Sequence, residues 1–431
     1  MKKSGKRVLC LVLIAALLAG LSGCTTFNNF KNAFFSDANV ATERTIKIGI
    51  YEPLTGENRA QGKEEVMGIE LAHELYPEVL GKKVELIYAD NKSDMYEAET
   101  AIQQLLANNL SVMLGSYGET LTMVASDYIK MHSLPAITIS STNPLITANN
   151  EYYFNATYTE ARQGDALADF AYETALKDSV ATVKVSNDDT ATATIKRFTN
   201  RIKKLTGNSK SVAGNYSIRV DESNYTETIE KLRNSGAKAV FLAMSPTMAT
   251  NFLQQCVDNQ YTHILFLGTR AWNDEEFINF ARSNDKIDVA FCAEEPEAVQ
   301  SELSTVFLDA FAAKYGTEEK PSGRTAAAFD AYMLALKAIE NAYAKLQETD
   351  VEDLASKAGS EGEAKAIREA YNNALEQGIP TGTQIKDALK AIEDFQGASG
   401  VINYDGNNEA TKTITIDYIQ GTEMPVYVTN E

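Results

Sequence analysis

From Thr45 onward the sequence alternates short β-rich runs with longer helical runs, and this alternation constrains the fold more than any other feature. Short joints between such runs predict parallel strands whose connecting helices cover both faces of a sheet. The first series contains predicted strands at 46–51, 83–89, 111–114 and 134–139 and predicted helices at 62–76, 95–108 and 120–131. The sequence therefore favours an α/β fold with a doubly wound parallel sheet.

A second series repeats this rhythm further along the chain. Its predicted strands lie at 180–185, 211–216, 239–242 and 264–267, with helices at 190–205, 225–233 and 247–259. A strand at 288–292, helices at 302–314 and 324–344, and a late strand at 413–419 follow. The chain has 431 residues, 44% of them hydrophobic, which is enough for two cores. Two consecutive series fit two doubly wound domains better than one very large sheet.

Residues 345–379 differ from their surroundings because they are charged, glycine-punctuated and prone to form helix. We interpret them as a surface insertion that lengthens the final helical region. A solvated helical hairpin is the simpler interpretation, and a device that docks a partner is the alternative.

The first 24 residues are typical of a secretory signal. Basic residues at 2–7 precede the apolar run Val8 to Ala19 and then Leu21-Ser-Gly-Cys24. The apolar run is shorter than the roughly 20 residues that span a hydrocarbon layer. The tetrad resembles a bacterial lipobox, which implies a signal peptide over 1–23, lipidation of Cys24 and a polar tether over 24–44. An ordinary secretory cleavage site beside a cysteine is the alternative.

Charge and motif content exclude several classes of function. The net charge is −19, and without the four cations of the first seven residues 36 basic residues face 59 acidic ones, a net charge of −23. Such a body repels nucleic-acid phosphates. The histidines, His73, His132 and His263, are far apart in the sequence, so the chain offers few candidate ligands for a zinc site. No GxGxxG, GxxxxGK[ST], GxSxG or HExxH motif occurs, so the sequence predicts no enzyme, metal or cofactor.

Two cysteines of the mature chain, Cys256 and Cys292, lie within the predicted α/β region. They can form a disulfide or remain two small buried thiols, and spacing does not decide between these alternatives.

Candidate binding residues lie in the turns that follow strands, because ligands of open parallel sheets bind outside the carboxyl ends of the strands. The turn 140–144, Ser-Ser-Thr-Asn-Pro, places hydroxyls and free amides before a proline. Such a turn can hold a carboxylate, or it can simply cap a helix.

Three further turns, 115–120, 243–247 and 268–273, contribute Tyr117, Glu119, Ser245, Arg270 and Trp272. Glu119 lies in a first helical turn, where the helix dipole stabilises an acid without any ligand. Arg270 can form bidentate hydrogen bonds with a ligand carboxylate, or it can form an exposed salt bridge. Trp272 can form an aromatic wall for a small ligand or pack in a core.

Several segments occur in a characteristic order: Ile46-Lys-Ile-Gly-Ile-Tyr-Glu-Pro-Leu-Thr-Gly56, Gly62, Gly68-Ile-Glu-Leu-Ala72, Leu134-Pro-Ala-Ile-Thr-Ile-Ser-Ser-Thr-Asn-Pro144, Ala328-Phe-Asp-Ala331 and Phe395-Gln-Gly-Ala-Ser-Gly400. Together they resemble the Leu/Ile/Val-binding proteins that serve ABC transporters, over roughly residues 45–420. The resemblance implies a type I periplasmic-binding fold, in which two α/β lobes joined by three crossovers close on a ligand like a Venus flytrap.

The resemblance also implies where the lobes divide. Lobe 1 is expected at 45–160 and 295–394, and lobe 2 at 161–294 and 395–431. The three crossovers are expected near Tyr158–Arg162, Cys292–Pro296 and Asp394–Gly397.

By resemblance, Ser140 and Thr142, with Ser141 between them, belong to the turn that grips the α-carboxylate and α-amino groups of an amino acid. Gln61 corresponds to a side-chain contact from the first loop. Two positions depart from the family pattern. Glu119 stands where the family has a serine for the ligand carboxylate, and Arg270 stands where it has an acid for the ligand ammonium.

We expect these two departures to compensate each other, with Arg270 taking an anionic group and Glu119 a cationic one. This puts a branched-chain aliphatic ligand in doubt. The expected function is that of an extracytoplasmic lipoprotein, anchored to the bacterial membrane through Cys24, which captures an amino-acid-like solute for an ABC permease. A binding protein that presents its solute to a separate receptor is the alternative.

Overall fold

A computed structural model describes residues 45–293, 296–412, 414–421 and 423–429. The predicted signal peptide, the tether and the lipidation site Cys24 lie outside the described residues. Within the described ranges, no helix is both long enough and apolar enough to cross a bilayer.

The first series folds into a six-stranded sheet. Its strands are β1 (Ile46–Glu52), β2 (Glu78–Val79), β3 (Lys82–Asp90), β4 (Val112–Gly115), β5 (Ala136–Thr138) and β6 (Tyr153–Asn155); its helices are α1 (Arg59–Leu75), α2 (Met95–Leu106), α3 (Glu119–Met131) and α4 (Leu145–Ala148). The strands lie in the order β2-β3-β1-β4-β5-β6. Strand β2 pairs antiparallel with β3, and the other neighbours pair in parallel. The order β3-β1-β4-β5 is that of a doubly wound sheet, the fold that the sequence predicts.

The second series forms a second sheet, which confirms the prediction of two α/β units. Strands β7 (Val180–Val185), β8 (Val212–Ile218), β9 (Ala239–Ala243), β10 (Leu265–Gly268) and β11 (Asp288–Ala293) pair in parallel in the order β8-β7-β9-β10-β11. The helices of this series are α5 (Gln163–Asp169), continued by a π-helical turn at Phe170–Thr174, α6 (Asp189–Thr206), α7 (Thr226–Ser235), α8 (Pro246–Asp258) and α9 (Glu275–Arg282); 3₁₀ turns lie at Glu160–Arg162, Ser209–Ser211, Arg270–Trp272 and Pro296–Ala298.

A run of helices then returns to the first sheet. These are α10 (Glu302–Tyr315), α11 (Gly323–Glu348), α12 (Val351–Ser356), α13 (Glu361–Gln377) and α14 (Gly382–Lys390). Helix α11 is buried on all sides from Thr325 to Leu336, and it is the central helix of the first core. The predicted insertion contains α12 and α13, a charged helical hairpin whose Tyr371 packs into the first core and donates its hydroxyl proton to Leu346 O at 3.2 Å.

The last part of the chain is divided between the two cores. Strands β12 (Phe395–Gly397), β13 (Gly400–Tyr404) and β14 (Ala410–Lys412) form a three-stranded antiparallel sheet, whereas β15 (Ile414–Gln420) and β16 (Val426–Thr429) join the second sheet beside β11. Phe395, Ile402 and Ala410 pack into the first core. The resemblance instead predicts that all of 395–431 belongs to lobe 2 and that a crossover lies at Asp394–Gly397. The structure differs because these short strands point their few apolar side chains at the core that contains α11.

Below, "first lobe" means the first sheet together with the helices and the three-stranded sheet packed on it, and "second lobe" means the second sheet with α5–α9. The first connection between them follows β6. There Arg162 lies 2.9 Å from Asp405 and 3.7 Å from Glu409, which joins the connection to the three-stranded sheet. Cys256 and Cys292 are both buried as free thiols, so the disulfide alternative is not realised.

Trp272 lies in the core of the second lobe and is completely buried. Its indole Nε1 donates to Met244 O at 3.1 Å, and its ring packs on Phe277 with centroids 4.6 Å apart. The ring covers Gly268 so closely that a Cβ at that glycine would lie 2.0 Å from Trp272 Cδ2. The sequence-level alternative of core packing is therefore the one that holds for Trp272.

We predict that Gly268→Ala lowers the free energy of unfolding of the second lobe by about 2–3 kcal/mol, because a rigid indole ring must move to admit the methyl group. Chemical denaturation followed by circular dichroism measures this loss. Gly362→Ala in α13 is the matched control, since no heavy atom lies within 4 Å of the added Cβ there. Equal stability of the two variants would contradict the close packing of Trp272 on Gly268.

Candidate functional site

A cavity of about 570 Å³ lies between the two lobes at the carboxyl ends of the parallel strands. It brings together six of the nine ligand-binding residues predicted from the sequence. The first lobe contributes Asn58, Tyr117, Gly118, Glu119, Ser140, Ser141, Thr142 and Arg324 to its lining. The first connection contributes Glu160, and the second lobe contributes Arg270, Ala271 and Asn273. Among the described lining residues, alanine is the sole aliphatic side chain, and most of the others are charged or hydrogen-bonding.

The first-lobe wall is built from two adjoining loops that follow β4 and β5. Gly115 begins the first loop at a φ of 107°, where a Cβ would lie 2.2 Å from Tyr51 O. Thr122 Oγ1 then donates to Ser116 O at 2.9 Å and lies 2.9 Å from Ser141 Oγ. These contacts hold the loops 116–118 and 140–142 side by side, so that both face the cavity.

Two hydroxyl groups of this wall give their protons to carboxylates. Ser140 Oγ donates to Glu65 Oε1, and Thr142 Oγ1 donates to Glu119 Oε1 at 3.1 Å. A hydroxyl has one proton and two lone pairs, so each of these oxygens retains acceptor capacity. Together with the Glu119 carboxylate, they make this part of the wall suited to a positively charged hydrogen-bond donor such as an ammonium group.

Helix α4, after the turn 140–144, is a single turn of four residues. One of the two alternatives that the sequence predicts for this turn is a carboxylate held by the amino end of a helix. The structure offers little support for that arrangement, because the helix is short and the hydroxyl protons of Ser140 and Thr142 are directed at Glu65 and Glu119.

The opposite wall presents Arg270, which follows β10. Its backbone N–H donates to Gln163 Oε1 at 2.6 Å, and Gln163 Nε2 in turn donates to Glu160 Oε2. The guanidinium Nε lies 3.7 Å from Glu160 Oε2, and the group lies 5.9 Å from the centre of the Tyr158 ring. The salt bridge considered as an alternative is therefore present, yet Arg270 is still 26% exposed and lines the cavity.

Arg324, at the start of α11, is a second cation that the sequence analysis did not identify. Its Nη1 lies 2.5 Å from Glu64 Oε2, and its guanidinium lies 5.1 Å from the centre of the Tyr117 ring. A cation in the first turn of a helix opposes the helix dipole. That local conflict was the signal available in the sequence, because residues that break a local rule often belong to functional sites. Asn58, Glu160 and Asn273 were also missed.

Beneath the first-lobe wall lie two completely buried carboxyl groups, Glu52 and Glu65. Glu52 Oε2 accepts a hydrogen bond from Tyr117 N at 2.9 Å, and Glu65 accepts from Ser140. Burial, followed by the charge of Glu65, raises the pKa of Glu52 well above its usual range. Burial raises the pKa of Glu65 to about 7 against the opposing effects of its hydrogen bonds to Glu52 and Ser140. The two groups cannot both be ionised at neutral pH.

Three predicted binding residues are not part of this cavity. Trp272 is in the core, as described above. Ser245 caps α8, where its hydroxyl accepts from Met248 N at 3.4 Å. Gln61 lies in the first turn of α1 with its Oε1 buried, and it does not line the cavity. Helix capping accounts for Ser245, and core packing, the alternative stated for Trp272, accounts for that residue.

A larger cavity, of about 680 Å³, lies on the first lobe between α10, α11 and β12. It contains none of the predicted binding residues, and it is formed by one lobe. The cavity between the lobes is the stronger candidate because Glu119 of the first lobe and Arg270 of the second lobe place opposite charges on its two walls. Among the described residues, no group of three or more His, Cys, Asp or Glu side chains is placed to hold a metal ion.

Comparisons with known proteins agree with this architecture. A Leu/Ile/Val-binding protein homologue from Brucella melitensis is 24% identical over 201 residues, which are 46% of this chain and 53% of that protein. The chain thus spans about half the length of the relative it matches. A solved structure of a putative branched-chain amino acid ABC transporter from Rhodospirillum rubrum has a TM-score of 0.70 and 20% identity, covering 89% of this chain and 100% of that one.

The branched-chain amino acid substrate-binding protein of Streptococcus pneumoniae, solved in complex with isoleucine, has a TM-score of 0.60 and 21% identity, covering 90% of this chain and 99% of that one. These likenesses confirm the type I fold with its two lobes. The model of the periplasmic binding protein family matches residues 45–416. This match confirms the expectation of a binding protein in place of an enzyme, and the chain belongs to the periplasmic binding protein family.

Proposed function

We propose that this chain is the solute-binding protein of an ABC importer and that it captures a small zwitterionic solute, an amino acid or a close analogue, between its lobes. The observation that carries this proposal is the cavity that places Glu119 on one wall and Arg270 on the other. A molecule with an ammonium group and a carboxylate can contact both walls at once. The family relationship supports the same general role.

The lining favours a solute with a polar side chain. The Streptococcus pneumoniae relative holds isoleucine, whose side chain is an aliphatic hydrocarbon. Here the described lining offers Asn58, Asn273 and a second cation, Arg324, and its aliphatic part is limited to Ala271. Enclosing a branched hydrocarbon among such groups leaves their hydrogen bonds unmade, which costs about 1–3 kcal/mol for each buried group. A polar amino acid avoids this cost.

No bond is made or broken in this function. A solute that contacts both lobes has greater affinity for the closed arrangement and shifts the population toward it. The closed surface is then available to a membrane permease. We further propose that the mature protein begins at Cys24 and is held at the outer face of the cell membrane by lipid on that cysteine, as the lipobox resemblance implies.

A thermal-shift screen of the mature protein against the twenty L-amino acids, dicarboxylates, amides and polyamines tests the function. We expect polar amino acids to raise the melting temperature, because a solute at 100 times its dissociation constant adds about 2.7 kcal/mol to the stability. Leucine, isoleucine and valine serve as comparison solutes and should give smaller shifts. A flat response to every class would contradict capture of a small solute.

Arg270→Ala should weaken binding of the best amino acid from that screen by about 10- to 100-fold, because a hydrogen bond to a charged group contributes about 1.5–3 kcal/mol. Isothermal titration calorimetry measures the change. Arg219→Ala is the matched control: this arginine is exposed in the second lobe and pairs with Asp221. Unchanged affinity in the Arg270 variant would remove that residue from the site.

Glu119→Gln should weaken binding about tenfold, since the amide oxygen still accepts from Thr142 while the negative charge opposite an ammonium is lost. The same titration shows whether an amine-free analogue of that amino acid loses less affinity than the parent. Glu70→Gln on α1, which hydrogen-bonds Tyr88 and lies outside the cavity, is the control. Equal losses for both solutes would show that Glu119 does not face the ammonium group.

A further inference from the structure

The Glu52–Glu65 pair has an unusual hydrogen-bonding state. The two carboxyl groups are hydrogen-bonded to each other, and Glu52 Oε1 and Glu65 Oε2 are buried without any other donor. Ionised carboxylates can only accept hydrogen bonds, so a bond between them requires a proton on one of them. The pair therefore holds a shared proton directly below the cavity.

Each member of the pair also contacts a group on the cavity wall. Glu52 accepts from Tyr117 N, and Glu65 accepts from Ser140 Oγ. Because Ser140 gives its proton to Glu65, its lone pairs are what remain available to a solute. A donor that binds to Ser140 is thus separated from the Glu65 carboxyl group by a single hydroxyl group.

We propose that the buried Glu52–Glu65 pair fixes Ser140 as a hydrogen-bond acceptor for the ammonium group of the solute. When that ammonium binds, the second proton that part of the free molecules carry on Glu65 is released to solvent, while the shared proton stays on the pair. Glu65 is then a positioning residue, since it acts on the solute through Ser140. This inference rests on the proposed capture of an amino acid, and it concerns the regulation of the same site.

The charged and titratable groups around the pair determine the direction of the effect. From α11, Arg324 Nε lies 4.0 Å from Glu65 Oε1, which favours the ionised carboxylate. From α1, Glu64 opposes ionisation and is itself paired with Arg324. From β1 and β6, Tyr51 and Tyr153 remain neutral because burial raises their pKa values. An ammonium group that binds at Ser140 adds a further positive charge next to Glu65, in addition to that of Arg324.

The added charge lowers the pKa of Glu65 in the complex relative to the free protein. Binding therefore releases a proton, and affinity increases with pH over the interval in which the free pair titrates. The pKa of Glu65 is about 7, so this interval is centred near neutrality. Affinity should increase severalfold from pH 6 to pH 8, and one proton sets a limit of about tenfold per pH unit.

Calorimetric titration at pH 7 in phosphate and in Tris measures the proton directly, because the two buffers differ in ionisation enthalpy. The probe is the proteinogenic amino acid with the largest thermal shift in the screen above, whose own ammonium is fully protonated at this pH. We expect release of about 0.2–0.5 proton, since about half of the free molecules carry the second proton, the one on Glu65, at pH 7. Binding without proton release in the wild-type protein would overturn the proposal.

Glu65→Gln separates this role from simple structural support. The amide oxygen can accept both from Ser140 and from the protonated Glu52, so the variant keeps these hydrogen bonds and has no titratable proton at position 65 to release. We expect proton release close to zero and an affinity that no longer changes between pH 6 and pH 8. Glu70→Gln, which removes a carboxylate from the same helix outside the cavity, should keep the wild-type pH profile.

The remaining outcomes are also decisive. Circular dichroism checks that Glu65→Gln is folded. If this variant does not fold, the calorimetry of the wild-type protein is sufficient to test the proposal. Proton release by the folded variant equal to that of the wild type would overturn the role of Glu65. If no amino acid binds, the proposed function itself fails, whereas binding without linked protons contradicts this inference and leaves the function standing.

Discussion

The close approach of α1 and α11 at Gly68 is the constraint on which the site depends. A Cβ at Gly68 would lie 2.1 Å from Thr325 O, so only a glycine lets the two backbones meet there. This contact places Glu64 and Glu65 of α1 next to Arg324, the second residue of α11. It thereby joins the acidic pair below the cavity to the cation on its wall. A wider spacing between the two helices would separate these charges.

Each arginine of the cavity is neutralised by an acidic residue on the same wall. Arg270 is paired with Glu160, and Arg324 is paired with Glu64, each within its own wall. Glu119 is held by the hydroxyl of Thr142 and by Asn143 Nδ2 at 3.5 Å, both of them neutral donors. The charge of Glu119 is consequently the one most open to compensation by a solute. This agrees with the acceptor character of Ser140 and Thr142, and it makes an ammonium group the feature that the first-lobe wall selects.

The sequence predicted the two doubly wound sheets because their alternation of strands and helices is local and periodic. It also identified the turns after β4, β5 and β10, since the carboxyl ends of parallel strands meet at one edge of a sheet. Arg324 and Glu65 were missed for a physical reason: the pairing of Glu64 with Arg324 joins residues 260 positions apart, and no local pattern encodes it. Trp272 was proposed for the cavity, yet the neighbouring Gly268 leaves room for its ring in the core.

The turn 140–144 shows why a motif can be shared while the bound group differs. A hydroxyl group can donate to a carboxylate or accept from an ammonium, and its partner within the protein decides which of these it offers to a solute. In this protein Glu65 and Glu119 take the protons of Ser140 and Thr142. The same Ser-Ser-Thr sequence above an apolar floor would keep its protons available for a solute carboxylate. We therefore expect the acids outside the motif to set the orientation of the solute, so that resemblance in the motif alone does not determine it.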